Sequence, residues 1–123
     1  MITFDRVSKR YPGGQQALAN LSFSLARGEF AFVTGHSGAG KSTLLKLVLG
    51  IEKPSGGKLV VNGNEMGLIS SKMLSLHRRQ IGTVFQDHQL LNDRSVYDNV
   101  ALPLEISGLD PREGKRRVRA ALD

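Results

Sequence analysis

Apolar and polar positions alternate twice near the start of the chain, and the first alternation is imperfect. From Ile2 to Val7, Arg6 falls in step with Ile2 and Phe4 while Val7 falls in step with Thr3 and Asp5, so the stretch predicts a β-strand of mixed facing. Leu21, Phe23 and Leu25 alternate cleanly with Asn20, Ser22 and Ser24, which predicts a half-buried strand reached through the Tyr11-Pro12-Gly13-Gly14 turn. Two short apolar runs, Phe30 to Thr34 and Ile81 to Phe85, predict buried strands, and Lys58 to Val61 predicts a third that ends at the Asn62-Gly63 turn. The spacing of Leu44, Leu45, Leu47, Val48 and Leu49 predicts a helix stopped by Gly50, and Met73 to Arg79 predicts a short one. Ser95 is expected to cap a helix through Val96, Val100 and Ala101 that ends before Pro103; Asp110 and Pro111 open the last helix. Strands gather at the beginning and helices at the end, with an α/β core between them.

Composition narrows this little. With 123 residues, 40% hydrophobic and 23% charged, the chain has the balance of a soluble globular protein with one modest core. No apolar run reaches the roughly 20 residues that a bilayer requires. Asp5, Arg6, Lys9 and Arg10 stand where a signal peptide would be apolar, so none is expected. Cysteine is absent, which suits a reducing compartment. Much of the net charge of +6 comes from Arg112, Lys115, Arg116, Arg117 and Arg119. The plain reading is the solvated face of a helix whose buried side is Val118, Ala121 and Leu122. Contact with anionic lipid or an acidic partner comes second, and nucleic acid last, because no aromatic residues interleave with the basic ones.

The chemistry-bearing stretch is Gly35-His36-Ser37-Gly38-Ala39-Gly40-Lys41-Ser42-Thr43. A predicted strand precedes it and a predicted helix follows, the setting that a phosphate-binding loop needs. Its glycines let successive N–H groups turn inward toward phosphate oxygens, and the helix dipole adds to the attraction. Lys41 is expected to reach the β- and γ-phosphates, and the Ser42 hydroxyl to take a place on Mg²⁺.

Two further residues extend the pattern. Tyr11 lies on a turn 24 residues before Gly35, and Gln86 directly follows the predicted strand ending at Phe85. Together with the loop they resemble the nucleotide-binding domain of ABC ATPases. The resemblance implies that Tyr11 stacks on adenine, that Thr43 lies near the α-phosphate, and that Gln86 senses Mg²⁺ and the γ-phosphate and signals to a membrane partner. Lys41 and Gln86 are then the catalytic candidates, Ser42 and Gln86 the metal candidates, and ATP and Mg²⁺ the cofactors. Within the family, His36 in the loop, the Phe85-Gln86-Asp87-His88 stretch and the run from Asp93 to Leu104 are similar to the bacterial cell-division branch rather than to its transporter relatives.

The resemblance covers Met1 to Asp123 and implies about the first half of one such domain. A β subdomain with the phosphate-loop core is expected over about 1–86, and the start of a helical subdomain over about 87–123. The partners implied are a polytopic membrane protein, a second copy in a nucleotide-sandwich dimer and other division proteins, without nucleic acid. The location implied is cytoplasmic, peripheral on the inner membrane. The family's signature motif, acidic Mg²⁺ strand, catalytic glutamate and switch histidine do not occur in these residues, so the intact protein is expected to be an ATPase and this stretch alone is not. His36 is one of the nucleotide-binding loop residues but occupies a variable place in it, and His77 and His88 match no catalytic position. Leu90, Leu91, Tyr97, Val100 and Leu102 offer either a partner surface or a face that packs within the subdomain. The alternatives are an ATP-binding subunit for lipoprotein release or macrolide export, and a division scaffold that binds nucleotide without hydrolysing it. A GTPase lacks support, because neither Asp-x-x-Gly nor Asn-Lys-x-Asp follows the loop. A small-molecule kinase leaves Tyr11 and Gln86 unexplained.

Overall fold

The imperfect alternation of the first strand has a local cause. Arg6 sits at φ 49°, and the pairing of β1 (Ile2–Arg10) slips there against both neighbours, between Phe4 and Val7 on one side and between Asp5 and Ser8 on the other. This is a β-bulge, and its extra residue reverses the facing of everything after it. Val7 and Lys9 therefore join Phe4 on the buried side. Opposite the bulge, Gly57 adopts φ 75°, and a Cβ there would collide with the Arg6 carbonyl, so glycine is required.

The structure, a computed structural model, describes residues 1–123 and divides them into two compact units, 1–81 and 82–123. In the first unit, β2 (Gln16–Leu25), β1, β3 (Gly56–Val61) and β4 (Asn64–Glu65) form one sheet in the order β2-β1-β3-β4, antiparallel throughout. Phe4 stacks on Phe23 across β1 and β2, ring centroids 4.6 Å apart. Helix α1 (Lys41–Val48) contributes Leu44, Leu47 and Val48 to a core shared with Phe4, Val7, Leu59, Val61 and Met66. Burying side chains such as Leu47 and Leu59 completely contributes about 2 kcal/mol each. Helix α2 (Ser71–Arg79) lays Leu74 against this core.

The two apolar runs expected as buried strands are not strands. Phe30 and Phe32 are each 83% exposed and Val84 is 91% exposed. A strand is held by its ladder, and every ladder in this sheet is made by β1 to β4 alone, so neither run has a partner for its backbone groups.

The second unit is helical. Helix α3 (Val96–Ile106) does not stop before Pro103 but runs through it. Proline removes its own N–H bond and is otherwise compatible with helical φ; the capping box at Ser95 secures the start, and Ser107 N–H still donates to the Pro103 carbonyl at 3.1 Å. Helix α4 (Pro111–Leu122) buries Val118, but Ala121 and Leu122 are exposed, contrary to expectation, because its last turn has nothing over it. Between α3 and α4 lies a cavity of about 350 Å³ lined by Tyr97, Ala101, Leu104, Leu109 and Val118 among others.

Candidate functional site

Helix α1 starts differently from the other three. Ser70 accepts the Met73 N–H at the start of α2, Ser95 and Asp98 exchange bonds in a capping box on α3, and Asp110 accepts the Arg112 and Glu113 N–H groups on α4. At α1 the first position is Gly40, without a side-chain acceptor, and no acidic residue occupies the first turn. Gly40 takes the left-handed conformation at φ 96°, whereas Ser70 and Ser95 are extended. A Cβ on Gly40 would lie 2.5 Å from the Ala17 carbonyl oxygen and 2.8 Å from Leu18 Cδ2. The first-turn amides of α1 thus carry their partial positive charge with no protein side chain to neutralise it, which suits an anion.

The preceding loop is exposed from Gly35 to Gly38 and tightened by an Ala39 N–H bond to the His36 carbonyl at 3.1 Å. Lys41 arches back over it, its Nζ donating to the Gly35 carbonyl at 2.6 Å and the His36 carbonyl at 2.8 Å. The ammonium therefore stands at the loop rather than in solvent. Ser42 is exposed on the first turn, and Thr43 beside it is buried.

Tyr11 is brought to this place from the end of β1. Its hydroxyl and Thr43 Oγ1 are 3.2 Å apart, and its backbone is pinned in a turn by Tyr11 N–H to Gln15 and Gly14 N–H to Tyr11. Beside the ring stands Lys9, 5.0 Å from Nζ to centroid, which also reaches the Glu52 carboxylate at 2.7 Å and the Lys53 carbonyl at 2.9 Å. Sequence reasoning missed Lys9 and Glu52. The one signal was a lysine two residues before an aromatic turn, and it gains meaning only once the bulge faces Lys9 inward.

The other end of α1 is closed by α2. His77, 1% exposed, donates from Nε2 to the Val48 carbonyl at 2.8 Å, leaving Nδ1 to accept from the Asn64 amide at 3.5 Å. Arg78 donates to the Leu49 carbonyl at 3.0 Å and the Gly50 carbonyl at 2.8 Å. Basic groups on the last carbonyls of a helix are where its dipole favours them. These roles were invisible in the sequence, where the pair reads as the basic end of α2.

Gln86 belongs to the second unit, where it is exposed and opens a tight turn with His88 at φ 58° and Gln89 at φ 48°. No group of three or more His, Asp or Glu side chains gathers anywhere to hold a metal. A magnesium ion at the loop would fit as the counter-ion of a phosphate ligand, with the Ser42 hydroxyl, phosphate oxygens and water around it, since Mg²⁺ keeps several waters and needs few protein ligands. On α4, bonds from Arg116 and then Arg117 hold the Glu113 carboxyl down from 4.5 to about 2. Arg112, Lys115 and Arg119 have no acidic partner.

The ABC transporter family profile matches residues 18–123. The cell division ATP-binding protein FtsE of Escherichia coli strain K12 is 56% identical over 123 residues, all of this chain and 55% of that protein. The methionine import ATP-binding protein MetN of Rhizobium meliloti is 49% identical over 127 residues, 99% of this chain and 36% of that protein. Among solved structures, the dimeric post-hydrolysis state of the ATP-binding cassette MJ0796 bound to ADP and Pi matches with a TM-score of 0.89 at 30% identity, covering 99% of this chain and 56% of that one. The chain spans about half the length of the curated division protein it matches.

Proposed function

The chain belongs to the ABC transporter family of ATP-binding subunits, and from that premise we propose that it holds Mg-ATP on the loop 35–43 as the N-terminal part of an FtsE-type division ATPase. The observation that carries the reading is the start of α1, a glycine-begun turn with unneutralised amides under a lysine already bent over the loop. Amides from Gly35 to Gly40 face the phosphates, and Lys41 exchanges its two carbonyl partners for β- and γ-phosphate oxygens. The Ser42 hydroxyl ligates Mg²⁺, Thr43 stands beside the α-phosphate, and the Tyr11 ring stacks on the base. By resemblance to the family, Gln86 is the residue we assign to sensing Mg²⁺ and the γ-phosphate and signalling to a partner. When bound, Mg-ATP supplies the phosphoryl group whose transfer to water releases the energy that the intact protein uses.

In the intact protein this site works in a nucleotide-sandwich dimer on an FtsX-type polytopic membrane protein, at the inner face of the membrane, with control of cell-wall hydrolysis as the output. The 56% identity to the Escherichia coli division protein supports that assignment, and exposed Leu90, Leu91 and Tyr97 offer apolar surface for a partner. No helix is long and apolar enough to cross a membrane. These 123 residues supply no general base beside the loop, and we read them as binding nucleotide without turning it over. A second reading, an importer's ATP-binding subunit, is favoured by the 49% identity to the methionine importer. Lipoprotein-release and macrolide exporters, and a division scaffold without turnover, use the same loop and differ in partner or output.

The test is thermal unfolding with and without Mg-ATP. At a hundred times the dissociation constant, Mg-ATP is expected to add about 2.7 kcal/mol of stability, and Lys41→Ala to abolish the gain. An equal gain in Lys41→Ala, or none in the parent, overturns the reading.

A further inference from the structure

Three polar side chains are buried, Lys9, Thr43 and His77, and two of them touch Tyr11. Thr43 takes the ring's hydroxyl at 3.2 Å, and Lys9 stands over one face of the ring at 5.0 Å. Lys9 is itself fixed by the Glu52 carboxylate at 2.7 Å and the Lys53 carbonyl at 2.9 Å. Glu52 and Lys53 lie four and five residues beyond the end of α1 at Val48, and the Glu52 N–H still bonds to the Lys46 carbonyl of that helix. The aromatic ring is therefore tied to both ends of the phosphate-loop helix, through its hydroxyl to the first turn and through Lys9 to the residues after the last.

From this chain of contacts we infer that Lys9 is a positioning residue for nucleotide binding, setting the distance and tilt between the base platform and the phosphate loop. The inference rests on the reading of Tyr11 as that platform. A planar ring has two faces, and a cation on one leaves the other for a base. The ammonium attracts the ring's π density toward itself, so the free face becomes a better stacking partner for an electron-rich purine. Holding the ring before the ligand arrives also removes an ordering cost from binding. The bulge at Arg6 is the backbone device behind this arrangement, because without its change of facing Lys9 would point away from the core.

A lysine that merely anchored the fold would serve every ligand of the loop equally, so the experiment compares two ligands on the 123-residue chain. Dissociation constants for Mg-ATP and for Mg-tripolyphosphate, which has no base, are measured by calorimetry for the parent, Lys9→Met, Lys9→Arg, Tyr11→Ala and the double variant Lys9→Met/Tyr11→Ala. Lys9→Met keeps the length of the side chain, and the Glu52 side chain left behind is 31% exposed and can hydrate. The expectation is that Lys9→Met weakens Mg-ATP by about threefold, since only the ring's ordering and polarisation, and not the cation–π contact already made in the free chain, are lost from binding, and leaves tripolyphosphate binding unchanged. Lys9→Arg, which keeps the cation, should restore Mg-ATP binding, and Lys9→Met should add no loss in the Tyr11→Ala background. Equal weakening of both ligands by Lys9→Met overturns the inference, as does a Lys9→Met chain that binds Mg-ATP like the parent while Tyr11→Ala does not. If Lys9→Met does not fold, Lys9→Arg carries the test, and a Lys9→Arg chain that folds but loses Mg-ATP and tripolyphosphate together overturns it. A Tyr11→Ala chain that binds Mg-ATP at parental strength overturns the platform reading itself.

Discussion

Helices α1 and α3 are of similar length and begin in opposite ways. Helix α3 opens on Ser95 with extended backbone, and Ser95 and Asp98 satisfy each other's amides in a closed box. Helix α1 opens on a left-handed glycine, with no side chain to accept its amides and a lysine where an acid would be most stabilising. On helix stability alone α1 is the worse design, since a cap contributes about 1 kcal/mol and an acidic first turn a few tenths more. The difference teaches where to look for a ligand. A fold that caps three helices with its own side chains and leaves the fourth open, beside an exposed glycine loop, keeps that end for something from outside.

The comparison breaks most sharply at Gly40. Serine is a good cap on α2 and α3, yet Gly40→Ser is expected to destabilise the chain by about 2–3 kcal/mol in urea unfolding, since a left-handed residue cannot cap and the Cβ meets the Ala17 carbonyl. Stability equal to or above the parent would show that α1 is an ordinary helix awaiting an ordinary cap. Next in size, Ser95→Ala should cost about 1 kcal/mol of stability and leave Mg-ATP affinity untouched, because that cap serves only its own helix. A loss of nucleotide binding in Ser95→Ala contradicts the division of labour.

The smallest effect concerns α4 and its acid. Glu113 has its carboxyl held at about 2 by Arg116 and Arg117, below the ordinary 4.5, so its contribution to α4 is fully present above about pH 4.5 and is lost as pH falls toward 2. Circular dichroism should show a small loss of helix in that interval, reduced in Glu113→Gln. An identical acid transition in the variant removes Glu113 from the account.

The glycine turn before α1 and the helix after it were legible in the sequence because both depend on local rules, glycine spacing and a 3.6-residue apolar period. The caps at Ser95 and Asp110 were legible for the same reason, as short-range hydrogen bonds. Illegible were the features that depend on distant chain. The bulge at Arg6 needs Gly57 opposite it, and without the bulge Lys9 reads as a surface lysine. Phe30 to Thr34 has the composition of a buried strand, but composition does not provide a neighbouring ladder, and the run remains exposed. Pro103 misled because the rule that proline ends a helix is a cost rather than a prohibition, and the packing of α3 against α4 around Ala101 and Val118 adds to its capped start. Tyr11 was reached through resemblance; its bond to Thr43 appears only in three dimensions.

If the open start of α1 is the anion-binding end of this chain, amide NMR shows it residue by residue. Mg-ATP is titrated into ¹⁵N-labelled protein while the first-turn amides of all four helices are followed. Large shifts are expected from Gly38 to Thr43 and none at Lys72 and Met73, Tyr97 and Asp98, or Arg112 and Glu113. Shifts spread evenly over the four helix starts, or absent from Gly38 to Thr43 while ATP binds elsewhere, would contradict it.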